Sequence, residues 1–206
     1  LPGPSAPLAA PSAAPSSGTP FVPGQADLQA ALLTAADLPG SGYTTQQAVS
    51  GAGLGSLKDC PALSAGESGI SAQATESFSA STASTATEIS EGLFQDTVSG
   101  AEQMVGAFST VASTCGSFST TISTSGGPLT LAITVTAEPF PSIGDETAAD
   151  SVNVYIAAAN VTITADVVAI RHGGTVIEIT NVDYPPVSGL TQAVAAAAYK
   201  KVAARW

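Results

Sequence analysis

His172 is the only histidine in the 206-residue chain, so a Ser-His-Asp arrangement would have to run through it. It stands in the run Arg171-His172-Gly173-Gly174, which reads as a hairpin tip, and no Gly-x-Ser-x-Gly elbow accompanies it. The expectation is an exposed turn histidine and no catalytic residue. Asp145-Glu146 is the other place to look for acid-base chemistry. Adjacent side chains on a strand face opposite ways, so this pair would not flank one scissile bond as glycosidase carboxylates do. It reads instead as a turn followed by the start of an element. Two cysteines and one histidine match no zinc spacing, and there is no spaced acidic calcium loop. No metal and no cofactor are expected.

Arg171 is the only Lys or Arg between Lys58 and Lys200, in a chain with 16 acids, 5 Lys+Arg and a formal charge of -11. Two uses are open to it. Its guanidinium pairs with Asp145, Asp150 or Asp183, or it holds an anionic ligand group by bidentate hydrogen bonds. Tyr155, near a strand end, and Tyr184, before Pro185-Pro186, have the amphipathic character found on cleft rims, or else they pack at edges. Arg171, Tyr155, Tyr184 and Asp145 are therefore the candidate ligand-binding residues. Cys60 and Cys115 form a disulfide or remain as two buried thiols, and the disulfide is expected. Closing a loop of about 56 residues would be worth roughly 4 kcal/mol on the chain-entropy account, and such a bond persists outside the cytosol.

The elements that must position these residues follow from periodicity. A short helix is expected within Asp27–Pro39, with Thr34 as a cap and Pro39-Gly40 as the stop. Tyr43–Val49 reads as a strand, and the glycine-rich stretch Gly51–Gly55 as a loop with no phosphate-binding pattern. Alternation over Gly69–Phe94 predicts an antiparallel pair turning at Ser79–Thr82. Val98, Ala101, Met104, Val105, Phe108, Val111, Ala112 and Cys115 form one helical stripe, capped by Asp96 and ended by Gly116. Strands follow at Leu129–Val135, after the turn Ser125–Pro128, then at Val152–Ile156, Val161–Ala169 and Val176–Val182, the last two joined at Gly173-Gly174. Ser188 is expected to cap a closing helix bearing Leu190, Val194, Ala198 and Val202 on one side. With helices not alternating with strands, the class is α+β: a mainly antiparallel sheet of about 6–7 strands with flanking helices.

Residues 1–24 hold seven of the 14 prolines and no charge, which predicts a Pro/Ala/Ser-rich disordered tether ahead of one domain over 25–206. No charged n-region with an apolar h-region is visible, so the chain reads as a mature or trimmed form. No run of 18 apolar residues occurs, so no transmembrane helix is expected within it. The charge balance excludes nucleic acid: 12 Asp and Glu lie between Lys58 and Arg171 with no cation among them. Tether, disulfide and a Ser/Thr-rich acidic surface point to an exported protein of the cell envelope. The Asn160-Val161-Thr162 sequon reads as a chance match in a strand.

The elements LLTAADLP near the start, Cys60-Pro61, the helix ending in Cys115, Gly144-Asp145, the strand ending VVAIRHGG at 167–174 and the closing QAVAAAAYKKVAARW occur in an order and spacing that resembles the PknH-like extracellular sensor domain family of actinobacteria. The likeness spans about residues 28–206. It implies a twisted antiparallel sheet with flanking helices, a cleft for a ligand, and no enzymatic activity. A kinase member of that family carries two disulfides, whereas this chain has cysteines for one. The resulting expectation is an extracytoplasmic ligand-binding or sensor domain of a lipoprotein or receptor kinase. Its partner would be a small envelope or extracellular ligand, and it would meet the membrane only through an anchor upstream of Leu1. A structural envelope lipoprotein that binds a protein partner is the alternative, and a cryptic hydrolase a third reading.

Overall fold

The structure is a computed structural model that describes residues 21–46, 60, 69–124 and 127–206. The prolines up to residue 20, residues 47–49 of the expected strand, the glycine-rich stretch 51–55, both neighbours of Cys60 and residues 125–126 of the expected turn lie outside the described residues. The elements are α1 (Gln25–Ala31), β1 (Thr44–Gln46), β2 (Ala72–Ser81), β3 (Ala86–Gln95), α2 (Val98–Ser109), α3 (Val111–Thr114), β4 (Ser117–Thr124), β5 (Gly127–Ala137), β6 (Glu146–Ile156), β7 (Val161–His172), β8 (Thr175–Tyr184) and α4 (Leu190–Ala203). All eight strands form one antiparallel sheet in the order β1-β2-β3-β8-β7-β6-β5-β4.

Helices cover both faces of this sheet, which makes its centre unusual for an antiparallel structure. Val167 to Ile170 are four consecutive buried residues of β7, because alternate side chains meet different helices. Val168 and Ile170 join Ile89, Leu93, Ile177 and Ile179 beneath α1 and α4, with Leu28, Val194, Ala198 and Val202 from above. Val167 and Ala169 join Ile133, Val135 and Val152 on the other face, beneath Ala101, Val105, Phe108 and Val111 of α2 and α3. Cys60 is bonded to Cys115 across a Cα–Cα distance of 5.7 Å and is wholly buried in this second cluster.

Local chemistry explains where the elements depart from the sequence expectation. Helix α1 lies upstream of Thr34, because Asp27 accepts from the Gly24 N–H and closes the first turn there. Thr34 instead makes a tight turn: its N–H and hydroxyl both donate to Asp37 Oδ2 at 2.7 Å. The β2–β3 turn falls at Thr82–Thr85, not Ser79–Thr82, since Thr82 N–H donates to Thr85 O and Thr82 Oγ1 accepts from Thr85 N–H. Thr97 caps α2, accepting from Gly100 N–H at 3.0 Å, while Asp96 accepts from Thr97 N–H. The expected single helix to Cys115 breaks at Thr110. Ser109 and Thr110 hydroxyls donate to the carbonyls three residues back, and local bonds of this kind compete with the helical ladder. Val98, on the expected buried stripe, is exposed. At α4 the cap is Gly189 in the left-handed region (φ +78°) and not Ser188. Strand β4 was not legible by alternation, which brings the sheet to eight strands.

Candidate ligand-binding site

Arg171 lies second from the end of β7, opposite Glu146 of β6. Its side chain is 14% exposed and faces three carboxylates: Glu146 at 3.4 Å, Asp145 at 3.5 Å and Glu102 of α2 at 3.7 Å. Asp145 Oδ2 also accepts from Gly173 N–H at 2.7 Å, and its own N–H donates to Arg171 O at 2.9 Å. Gly144 has φ +70°, and a Cβ there would run into the Arg171 carbonyl, so the close approach requires glycine. A guanidinium ringed by three acids offers little to an incoming anion. It ties the β7–β8 hairpin to α2 and to the loop before β6. Asp150 and Asp183 are not its partners. Because the acids are substantially exposed, solvent screening keeps each pair weak. Arg171→Met is expected to cost roughly 1 kcal/mol, a fall in Tm of about 2–4 °C, read from a thermal melt at low and high salt.

His172 is a half-buried strand residue and not an exposed turn residue. Its Nε2 lies 2.8 Å from the Trp206 carbonyl oxygen, which can only accept, so the ring donates there. Tyr199 packs edge-on against it at 5.6 Å. Tyr155 and Tyr184 sit at the opposite end of the sheet. Tyr155 pairs with Thr162, nine residues along β7 from Arg171, a distance of about 30 Å. Tyr155 donates to Asn160 Oδ1 at 3.2 Å, and Asn160 occupies a turn (φ +51°), not a strand. Tyr184 is 74% exposed. The structure therefore joins Arg171 to Asp145 and leaves both tyrosines far from them.

A different set of polar residues meets on the α1/α4 face, at the start of α4. Register puts Asp166 of β7 beside Asn181 of β8, and Asp183 lies two residues on along the same face. Asn181 Nδ2 donates to Asp183 Oδ2 at 2.7 Å and to Thr191 Oγ1 at 3.0 Å, and Thr191 donates to Asp166 Oδ2 at 2.7 Å. Asn181 is only 2% exposed. Its Oδ1 and Asp183 Oδ1 are buried with no hydrogen-bond partner. Because Gly189 brings no side-chain cap, the first N–H groups of α4 help offset the charge of the two aspartates. The charge reaches further out. Burial first, and then the Asp166 charge, pushes the Glu138 carboxyl up, while burial and then Asp183 push up the Tyr43 hydroxyl. The sequence reading held only Asp183 from this group, as an ion-pair partner for Arg171. The rest went unseen because Asp166, Asn181 and Thr191 read separately as polar positions of three elements.

A cleft of about 480 Å³ opens between the start of α1 and the β2–β3 end, away from this cluster. It is lined by Gln25, Ile70, Ser71, Ala72, Gln73 and Phe94, and none of these described lining residues is titratable. The Gln25 amide bridges it by bonding both backbone groups of Gln73. Among the described residues no three His, Cys, Asp or Glu side chains cluster as metal ligands.

Compared with solved structures, the chain superposes on the extracellular domain of PknH from Mycobacterium tuberculosis with a TM-score of 0.57. The two are 11% identical, and the match covers 89% of this chain and 98% of that one. The chain has the fold of the PknH extracellular domain. No protein-family model matches the sequence, and no curated protein sequence does either. The likeness to PknH is thus one of fold and not of sequence. No helix among the described residues is long and apolar enough to cross a membrane.

Proposed function

We propose that this is a non-enzymatic ligand-binding domain working outside the cytosol, and that its ligand site is the polar cluster at the start of α4. The buried and unpartnered Asn181 Oδ1 and Asp183 Oδ1 carry the reading. A buried acceptor left without a donor costs about 1–3 kcal/mol, and a ligand that supplies the donor recovers it. The site offers acceptors and negative charge, so it suits a neutral polyol or a cationic amine and repels anions. The buried Cys60–Cys115 bond and the PknH fold support placement outside the cytosol. A lipid or an upstream span would hold the domain to the envelope, and the intact mass of the native protein separates the two.

The test is an amide chemical-shift titration with glycerol, glucose, ethanolammonium and, as the anionic control, phosphate. Shifts centred on the Asn181 side-chain amide and the Thr191 backbone amide are expected with a polyol or amine. Asp183→Asn should weaken an amine at least tenfold, because it removes one of the two charges. No shift at these amides with any donor probe, or a response to phosphate alone, overturns the reading.

A further inference from the structure

The two outer strands of the sheet are protected very differently. β1 has three residues, too short to template another strand. β4 has eight, SFSTTIST, with no charge, no proline and no glycine. Its register with β5 runs unbroken from Ser117↔Thr134 to Thr124↔Gly127, so no bulge twists it away. Among the described residues none of the usual edge defences is present. The Gly116 carbonyl accepts from Val135 N–H, so it points toward β5. Alternation then turns the N–H and C=O of Ser117, Ser119 and Thr121 outward, where no described residue pairs with them.

Charge selects the occupant. The chain carries -11, and two copies repel over most of their surface. Yet from Gln103 to Ala137 there are 35 residues without a single Asp, Glu, Lys or Arg. β4 and β5 lie wholly inside that run, so the exposed edge is neutral. Apolar side chains reach it as well. On the α2 face Ile122 lies opposite Leu129, Leu131 opposite Ile156, and Ile156 opposite Val161. Ile122 and Val161 are 41% and 45% exposed.

The geometry points to a second copy of this chain as the partner of β4. The two sheets would join by antiparallel β4–β4 pairing about a two-fold axis at Thr120. That register is the one that places Phe118 opposite the partner's Ile122 on the α2 face, and Ser119 opposite the partner's Thr121 on the other. It also puts the outward N–H and C=O groups of Ser119 and Thr121 in hydrogen-bonding positions.

The test uses sedimentation equilibrium of the full chain over a concentration series up to about 1 mM, within the range of weak specific association. A monomer–dimer equilibrium is expected, with association weakened at least tenfold by Thr120→Lys and by Ser119→Pro. Ser119→Pro removes an outward N–H that the chain's own sheet does not use. Each variant is first checked for an unchanged melting temperature. Register is read by Thr120→Cys, which should cross-link to itself under mild oxidation, against Thr130→Cys on β5, which should not. A chain that stays monomeric throughout, a dimer indifferent to both variants, or equal cross-linking by the two cysteines overturns the proposal.

Discussion

Raising the pH from about 4 to about 8 is expected to remove about 3 kcal/mol of stability from this domain through Glu91 alone. Glu91 faces the α1/α4 side of the sheet between Ile89 and Leu93 and is 1% exposed. Its Oε2 accepts from Leu33 N–H, and its Oε1 is buried with no partner. Burial pushes its carboxyl from the usual 4.5 up to about 7. The Leu33 bond and the Lys201 charge oppose that rise, while Asp37 and Glu76 reinforce it. The sign follows from proton binding. Between 4.5 and 7 the folded chain holds a proton that the unfolded chain has released. Stability therefore is greatest below 4.5, falls as pH rises to 7, and stays low above it. Asp150, 2% exposed and pushed by burial to about 6, adds a loss in the same direction. Asp37 works the other way at lower pH. The Lys201 ammonium at 2.7 Å and Thr34 hold it at about 2, so its contribution fades as pH drops below the usual 3.8. Thermal melts of the wild type and Glu91→Gln across this range decide the matter. The variant should melt roughly 5–10 °C above the wild type at about pH 8 and lose most of the slope. An identical slope in both proteins would show that Glu91 is not its source.

Breaking the Cys60–Cys115 bond is expected to cost about 4 kcal/mol, the second large effect. The bond closes a loop with a sequence separation of 55, which an unfolded, reduced chain would be free to open. It also anchors Cys60 to the end of α3 within the second core cluster. Reduction should lower Tm by roughly 10 °C, and a reagent that counts thiols should find none before reduction and two after. Two thiols in the native protein, or an unchanged Tm after complete reduction, would contradict this account. Cys60→Ala with Cys115→Ala should lose at least as much, since both side chains are buried and leave small cavities.

The contrast between Glu91 and Arg171 shows where reading the sequence stopped. Arg171 stood out because it is the single cation in a long acidic stretch, and one of its expected partners, Asp145, is a real one. Glu91 gave no signal. In Glu88-Ile89-Ser90-Glu91-Gly92 it reads as one more acid, and nothing local says that the loop after α1 closes over it.

Composition, cysteine count and period-two alternation were enough to establish an α+β domain with an antiparallel sheet and a Cys60–Cys115 staple, because those features are written in local order. Both long amphipathic helices were legible for the same reason: their buried residues recur every three or four positions. Strand β4 was not, since Ser and Thr on both faces of an outer strand leave no alternation to detect. Tertiary structure alone decided the pairing order that puts β8 between β3 and β7. It alone brought Asp166, Asn181, Asp183 and Thr191 together from three elements, and it alone buried Glu91. Each of these depends on contacts between segments remote in the chain. Whether a carboxylate is solvated or dry is a property of what packs over it, which no window of sequence contains.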